Sequence, residues 1–333
     1  MTPEQDELVS TVRSVLAKRA DSAAVRASID SPEGYDVSLW RLLCDQIGVA
    51  ALAIPEEYEG AGATLVEACL VLEELGYSLA PSPLLANLIA GQALLGANLT
   101  GTRATDLLAR VAAGEVAAVQ VTNRLVTSAD TLVLDGADAT ILIAEHDGRL
   151  VSVDPEAAHR EPLPTMDQCL RLARVDLAGA TLTDLGSTES ALEQARLVAL
   201  VGIAALQAGV ARRGLEMTVA YSKERVQFGR PIGSFQALKH RMADLLVLVE
   251  MSRSAYLAAA QALADGDPDR AEQASIAKSY CGDALNRVAS ETVQLHGGIG
   301  VTWEHDAQLV FKRAHALNQL FGAPHHHRAA LPL

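Results

Sequence analysis

The spacing of apolar residues predicts that the first third of the chain is helical. Apolar side chains recur there every three or four residues, which places them on one face of a helix. The clearest series are Leu8, Val12, Val15 and Leu16, followed by Trp40, Leu43 and Ile47. A proline and two glycines at 55–62 mark a loop, and helix resumes at 66–75 before a proline-containing break at 81–83. We therefore predict an N-terminal helical domain over residues 1–113.

The middle of the chain changes to short runs that favour β-structure. These runs lie at 117–121, 131–134, 140–144 and 150–153. Turn dipeptides follow two of them, Asp135-Gly136 and Asp147-Gly148, and the second is typical of a tight hairpin. The pattern predicts a small β domain over residues 114–185.

The remainder, residues 186–333, returns to helical spacing. Four helices are predicted at about 189–223, 235–263, 269–296 and 303–321, joined by short connections. Small residues that allow close approach of helix backbones line the first of them: Gly202, Ala204, Ala205, Ala208, Gly209 and Ala211. We expect that helix to lie centrally in an antiparallel four-helix bundle. The predicted fold class is α+β, mostly α.

Composition and charge narrow the functions that the chain can have. Half of the 333 residues are hydrophobic and only 4% are aromatic, which is the composition of packed helices rich in Ala, Leu and Val. The formal net charge of −14 argues against nucleic acid and against an anionic membrane surface as partners. The four cysteines lack paired or metal-ligand spacing, so we expect buried free thiols in a reducing compartment.

No membrane or export segment is expected. The first residues are acidic and lack an apolar signal region, and the longest apolar run, 197–211, is short and ends at Arg212 and Arg213. These features predict a cytoplasmic protein.

Residues 225–244 form the stretch with the clearest candidate chemistry. Three residues that interrupt regular secondary structure occur there, Gly229, Pro231 and Gly233. Ser234 is a good N-cap for the helix that follows. The cation of Arg225, the amide of Gln227 and the ring of Phe228 suit a ligand with phosphates and a flat ring system. The alternative is an ordinary interhelical loop with a solvated arginine.

This stretch closely resembles the signature of the acyl-CoA dehydrogenase family. A second family stretch, Gln-Leu-His-Gly-Gly-Ile-Gly at 294–300, follows in the family's order and at its spacing. Weaker resemblance at 55–63 and 72–76 extends the match over most of the chain. In that family the fold is an N-terminal helical domain, a middle β domain and a C-terminal four-helix bundle, and the cofactor is flavin adenine dinucleotide (FAD).

The resemblance implies which residues bind the cofactor. Four of them would contact the FAD of a neighbouring subunit: Arg225, Gln227, Phe228 and Phe235. Gln294 and the backbone of Gly297 and Gly298 would meet the adenosine end of the same FAD. An arginine neutralises pyrophosphate, and paired glycines let backbone amides approach phosphate oxygens. The alternative for the glycine pair is a helix C-terminal cap.

Two departures from the family pattern concern the catalytic apparatus. A Thr-Glu-Pro segment that touches the flavin ring is missing between residues 120 and 130, which leaves open whether the chain completes a flavin site by itself. The family's catalytic glutamate stands either in the last loop, where this chain has Phe321, or on the first bundle helix, near Ala199. The identity of a catalytic base is therefore unknown. Asp244 is expected to pair with Arg241 or Arg253 instead of acting in catalysis.

The histidine triplet at 325–327 is the remaining group that could bind a metal. Consecutive residues in a loop rarely converge on one ion, and no companion carboxylate or cysteine ligand is evident. We expect solvated or packed tail residues and no metal site.

Three functions are compatible with the sequence. The first is a subunit of a flavin-dependent acyl-CoA dehydrogenase, which catalyses α,β-dehydrogenation of an acyl-CoA thioester with a partner subunit that supplies the base. Short chains of this kind resemble the smaller subunits of mixed tetramers acting on bulky thioesters such as steroid side chains. The second is a non-catalytic partner that shapes a neighbour's FAD site, and the third is a flavin monooxygenase on the same fold. The resemblance implies an acyl-CoA substrate, a homologous second subunit or a homo-oligomer, and an electron acceptor.

Overall fold

Helices occupy the described chain up to Ala112, as the apolar spacing predicts. The structure is a computed structural model that describes residues 1–97, 102–120 and 132–331. Helix α1 begins after a capping box in which Thr2 and Gln5 exchange hydrogen bonds, and it buries Val9, Val12 and Leu16. The helices are α1 (Pro3–Arg19), α2 (Ser22–Asp30), α3 (Val37–Leu42), α4 (Leu65–Ser78), α5 (Leu84–Gly96) and α6 (Thr102–Ala112).

Seven strands follow in two small sheets. They are β1 (Ala117–Gln120), β2 (Leu132–Leu134), β3 (Ile141–His146), β4 (Arg149–Val153), β5 (His159–Leu163), β6 (Leu172–Asp176) and β7 (Leu182–Ser187). One sheet has the order β1-β3-β4-β7, with β1 and β3 parallel, and the other has the order β2-β6-β5. The hairpin predicted at Asp147-Gly148 is present, with φ values of 49° and 74° at its two turn residues.

The four predicted runs correspond to β1–β4, with Val121 and Thr131 outside the described residues. Strands β5–β7 were not predicted. Strand β5 is largely exposed, with the sequence His-Arg-Glu-Pro-Leu, and therefore lacks the apolar alternation that identifies a half-buried strand. The segment at 120–130 that lacks the Thr-Glu-Pro sequence is outside the described residues beyond Gln120.

The C-terminal part is the predicted four-helix bundle. Its helices are α7 (Glu189–Glu224), α8 (Gln236–Ala264), α9 (Arg270–His296) and α10 (Ala307–Gln319). Between α7 and α8 lies a hairpin of strands β8 (Val226–Gln227) and β9 (Arg230–Pro231), where the sequence predicted a loop. The fourth helix is shorter than predicted, and a further short helix, α11 (Pro324–Ala329), carries the histidine triplet.

Helix α7 lies at the centre of the bundle, which confirms the interpretation of its small residues. It packs against α4, α5, α8, α9 and α10. At the crossing with α4 the two backbones touch, because a Cβ on Gly209 would lie 1.9 Å from the Glu73 carbonyl oxygen. By length and composition α7 could cross a membrane, but 89% of its apolar window is buried inside the protein, as expected for a core helix.

The α4–α7 contact yields a stability prediction. Replacement of Gly209 by Ala should lower the free energy of unfolding by about 1–3 kcal/mol or more, because the backbones must separate to admit a methyl group. Gly91→Ala is the matched control, since Gly91 also lies in a buried helix but its nearest neighbour would be 3.6 Å from the new Cβ. There we expect no loss, or a gain of about 0.5–1 kcal/mol from reduced backbone freedom. Chemical denaturation measures both, and equal effects would contradict the contact.

Candidate functional site

A two-residue β-hairpin presents the first group of candidate residues to solvent. Arg225 ends helix α7, and Gln227 pairs with the residue opposite it across the turn. The turn residues Phe228 and Gly229 both have left-handed φ values, 54° and 77°. Phe228 is 91% exposed, although a large aromatic side chain is usually buried. A strained and exposed aromatic residue in a tight turn indicates a contact surface for a ligand or partner.

The hairpin rests on the ring of Phe235. The Phe228 ring meets it edge-on at 6.2 Å between centroids, and the Arg230 guanidinium lies 4.0 Å from its centroid. Phe235 is half-buried and thus supports the turn. The predicted N-cap at Ser234 is wrong. That residue lies in a short 3-10 turn, and helix α8 begins after Phe235 without a side-chain cap.

The second group lies at the C-terminal end of helix α9. Gln294 is exposed in the last helical turn, and residues Gly297–Val301 form a short 3-10 turn, here called the glycine turn. Gly297 is the helix C-cap with a φ of 64°. A Cβ on Gly297 or Gly298 would meet nothing within 4 Å, so their backbone is open to a ligand. The cap and the ligand-binding interpretation are therefore compatible.

A cluster of three aromatic rings lies between these two groups. Tyr221, one turn before the hairpin, stacks on His296 at 4.4 Å between ring centroids, and His305 contacts His296 at 4.4 Å and meets Tyr221 edge-on at 6.2 Å. His296 is buried and its Nδ1 lies 2.6 Å from the Thr292 carbonyl oxygen. Burial lowers the pKa of both histidines below the ordinary value, which favours neutral rings at neutral pH. The sequence analysis missed this cluster, which links the end of α7, before the hairpin, to the end of α9, before the glycine turn.

The two positions that correspond to the family's base are apolar, and one is completely buried while the other is half-buried. Ala199 is completely buried on helix α7. Phe321 is half-buried with a left-handed φ of 55°. It borders a cavity of only about 30 Å³ between α5, the small sheets and the last loop. The described residues that line this cavity are all apolar: Ala86, Ile89, Val119, Leu132, Leu134, Leu172, Leu320 and Phe321.

Buried polar groups hold the loop that carries Phe321. The Lys278 amine, with no exposed surface, donates to the carbonyl oxygens of Asn318 and Gly322 at 3.3 and 3.1 Å. The His327 ring donates to the Phe321 carbonyl oxygen at 3.1 Å. Burial lowers the pKa of Lys278 to about 7 and, together with the nearby Lys278, that of His327 to about 4. Hydrogen bonds from Lys278 and His327 thus hold the backbone of this loop, and the Phe321 side chain forms part of the cavity wall.

The buried His327 implies a loss of stability in acid. Its pKa is about 4 in the folded chain and near 6.5 when unfolded, so between these values only the unfolded chain binds a proton. Stability present above about pH 6.5 is therefore lost as the pH falls toward 4. His327→Gln keeps a donor for the Phe321 carbonyl but does not titrate. Between pH 7.5 and 4.5 we expect this variant to lose about 1–3 kcal/mol less unfolding free energy than the parent.

The exposed His325 provides the matched control for that measurement. His325→Gln should follow the parent's pH dependence, because its ring lies on the outer surface of α11. Chemical denaturation at several pH values gives the three curves. Parallel curves for His327→Gln and the parent would show that burial of this imidazole does not govern the acid response.

The predicted ion pair of Asp244 is wrong. Arg241 pairs with Glu291, and the Arg253 Nε lies 3.1 Å from Glu73 Oε2. Both acceptors are buried carboxylates on neighbouring helices, and a buried carboxylate needs a charged partner to offset the loss of its hydration. Asp244 is exposed on α8 and has no ion-pair partner among the described residues.

The histidine triplet does not form a converging set. The rings of His325 and His326 contact each other at 4.1 Å between centroids, while His327 is buried against the Phe321 loop. Within residues 1–97, 102–120 and 132–331, no three His, Cys, Asp or Glu side chains are placed to hold a metal ion. The four cysteines are free thiols, three of them buried.

The residues present fit only one part of a flavin dinucleotide. The exposed arginine and amide of the hairpin suit the phosphates of a dinucleotide, and the open glycine backbone at the end of α9 suits its adenosine end. The apolar cavity beside Phe321 is much smaller than the roughly 300–1,000 Å³ of ordinary ligand pockets. Among the described residues, the cavity beside Phe321 is therefore too small for a flavin ring.

Two family models and several relatives match this chain. The family model "Acyl-CoA dehydrogenase, N-terminal domain" matches residues 2–115, and "Acyl-CoA dehydrogenase, C-terminal domain" matches residues 185–331. The protein "Acyl-CoA dehydrogenase IpdE2" of Mycolicibacterium smegmatis is 46% identical over 324 residues, which cover 97% of this chain and 96% of that protein. The protein of the same name from Mycobacterium tuberculosis is 45% identical and covers 97% of this chain and 95% of its own length.

Solved structures show the same fold. A structure described as "Tcur3481-Tcur3483 steroid ACAD G363A variant" has a TM-score of 0.89 and 29% identity, with 98% of this chain and 96% of that chain covered. The ChsE4-ChsE5 complex from Mycobacterium tuberculosis has a TM-score of 0.86 and 25% identity, with 100% and 99% covered. Each of the two descriptions names two chains. The TM-scores confirm the predicted fold class.

Proposed function

This chain belongs to the acyl-CoA dehydrogenase family, and on that premise we propose that it is one subunit of a flavin-dependent acyl-CoA dehydrogenase. A second, homologous chain supplies the catalytic base. In this assignment the substrate is an acyl-CoA thioester that undergoes α,β-dehydrogenation. FAD, when bound, accepts a hydride from the β carbon. The protein must supply a carboxylate that removes the α proton.

The observation that carries the proposal is the apolar filling of both base positions. Ala199 is completely buried, and Phe321 borders a cavity whose described lining contains no carboxylate. Neither side chain can accept a proton. A carboxylate on another chain can supply the missing base, because the family's cofactor sites lie where subunits meet.

The hairpin supports the same assignment from the cofactor side. Arg225, Gln227 and Phe228 all point away from the core of their own chain and are exposed. Such a surface suits the phosphates of FAD whose ring is enclosed by the partner. We therefore propose that this chain binds the partner's FAD through Arg225, Gln227 and Phe228, with Phe235 as their support. We propose that Gln294 and the backbone of Gly297 and Gly298 contact the adenosine end of the same FAD.

The proposed substrate class is a bulky thioester. One solved structure similar to this chain is described as a steroid acyl-CoA dehydrogenase, and another is a complex of two chains. By analogy, we propose a mixed tetramer that acts on a steroid-derived acyl-CoA, located in the cytoplasm, with an external electron acceptor. We also propose functional units at residues 1–113, 114–185 and 186–333.

The cavity of about 30 Å³ favours a specific form of the second candidate function, in which the chain is a non-catalytic partner that shapes a neighbour's FAD site. In that form the chain binds no thioester of its own and only completes the partner's flavin site. The two functions differ in whether any substrate contact comes from this chain. A flavin monooxygenase is distinguished from both by oxygen consumption coupled to hydroxylation.

The test is co-production of the chain with a homologous chain that carries a glutamate at either base position. Native mass spectrometry gives the composition of the complex, and absorbance after denaturation gives the bound flavin. We expect equal numbers of the two chains and one FAD for each pair, since only the partner encloses a flavin ring. A homo-oligomer of this chain with one FAD in every subunit would overturn the proposal.

A further inference from the structure

The hairpin carries a second arginine that shares a face with the predicted cofactor-binding residues. Arg230 lies directly opposite Gln227 in the antiparallel pairing. The Ile232 amide donates to the Arg225 carbonyl oxygen at 2.8 Å, which extends the same register by one pair. Residues directly opposite each other project from one face, and so do residues two apart on a strand. Arg225, Gln227 and Arg230 therefore lie on the same face.

The Arg230 side chain is held in place without losing its hydrogen-bonding capacity. Its guanidinium lies over the Phe235 ring at 4.0 Å, and Phe235 is in turn fixed by the edge of Phe228. Stacking uses the flat face of a guanidinium and leaves the N–H groups around its edge free to donate. A side chain held this way loses less conformational freedom when it binds a ligand.

Neither arginine of this face is neutralised by its own chain. Arg225 and Arg230 are both exposed, and neither has an ion-pair partner within the part of the chain that the structure describes. The chain as a whole carries a net charge of −14, so two unpaired guanidinium groups on one small hairpin are a local exception. Two planar donors on one face match a ligand with two adjacent anionic groups.

We propose that Arg230 is a second phosphate-binding residue, which together with Arg225 contacts the two phosphates of a dinucleotide pyrophosphate held by a neighbouring subunit. This inference rests on the proposed function, because it takes the ligand to be the partner's FAD. It adds a residue that the family signature did not single out. It also gives Phe235 a defined role as the platform that orients Arg230.

The test measures cofactor affinity in the assembled complex. The complex is stripped of flavin and titrated with FAD, followed by flavin fluorescence, and separately with ADP, which has the pyrophosphate but no flavin ring. Arg230→Gln should weaken both ligands about tenfold, as expected for loss of one charge-assisted contact. The dependence of affinity on salt should also become shallower, because one ionic contact is removed.

Two further variants control for folding and for charge. Arg230→Met keeps an apolar stem on Phe235, so the hairpin packing is preserved, and we expect the same loss of affinity. Arg41→Gln removes one positive charge from an exposed site on α3 without an ion pair among the described residues, and we expect no change. Circular dichroism and co-purification with the partner verify that each variant is folded and assembled.

The outcomes separate this inference from the proposed function. Unchanged FAD and ADP affinities in both Arg230 variants, with a loss in Arg225→Ala, would overturn the role of Arg230 and leave the proposed function intact. A loss for FAD without a loss for ADP would also overturn it, since the contact would then lie on the flavin half. If Arg225→Ala and the Arg230 variants all bind normally, the proposed cofactor surface itself is wrong.

Discussion

Produced without a partner, this chain is expected to show no acyl-CoA dehydrogenation, and co-production with a homologous chain that carries the glutamate should restore turnover. The side chains at the two base positions, Phe321 and Ala199, cannot accept a proton. Loss of a general base typically lowers a rate by about 10²–10⁴-fold.

The assay is dye reduction by an acyl-CoA, performed on the single chain and on the co-produced pair. The single chain must first be shown to be folded, and it is assayed with FAD in excess, so that a shortage of free cofactor does not explain a lack of turnover. In the pair, replacement of the partner's glutamate by glutamine should abolish turnover. Robust turnover by the single chain with FAD in excess would contradict the prediction, and Asp244 would then be the first residue to replace.

A variant of this chain separates a missing base from a missing substrate site. Phe321→Glu places a carboxylate at the family position on a loop that Lys278 and His327 already hold. If only the base were lacking, the variant would gain activity in the single chain. We expect no gain, because the cavity of about 30 Å³ beside Phe321 is much smaller than an ordinary ligand pocket. A measurable gain would show that the cavity opens when substrate binds.

Local patterns in the sequence were sufficient for much of the fold. Strands β1 to β4 and the Asp147-Gly148 hairpin follow from β-prone runs and turn chemistry, and the central position of α7 follows from its small residues. The hairpin at Arg225 was not predictable in this way. Two-residue turns usually contain Asn-Gly or Asp-Gly, whereas here Phe228 adopts the left-handed conformation. The edge-on contact of Phe228 with the Phe235 ring supports that conformation.

The buried polar contacts of the loop around Phe321 could not be predicted from the sequence either. The motif identified Phe321 as standing in place of a base, but nothing in the local sequence indicated that Lys278 would be buried beneath it. A lysine is rarely fully buried, and its environment comes from residues about 40 positions away along the chain. For His327, the sequence left open whether the tail residue is solvated or packed. Buried polar contacts between distant segments are set by the assembled fold, so they cannot be derived from spacing.

Replacement of Arg225 by Ala should weaken FAD binding in the assembled complex about tenfold or more. The change removes a charge-assisted hydrogen bond to the pyrophosphate, which contributes about 1.5–3 kcal/mol. Arg225 is exposed, ends helix α7 and has no ion-pair partner among the described residues, so its removal should leave the fold unchanged. Arg225→Lys keeps the charge but loses the planar donor pair, and we expect an intermediate affinity.

The measurement is flavin occupancy of the purified complex at limiting FAD, with the parent and Arg41→Gln as references. Addition of excess FAD should restore turnover of the Arg225→Ala complex, because the change affects cofactor affinity and leaves the partner's glutamate in place. Full occupancy at limiting FAD would exclude Arg225 from the cofactor site. Low occupancy that excess FAD cannot correct would instead indicate a failure of assembly, which co-purification of the two chains detects directly.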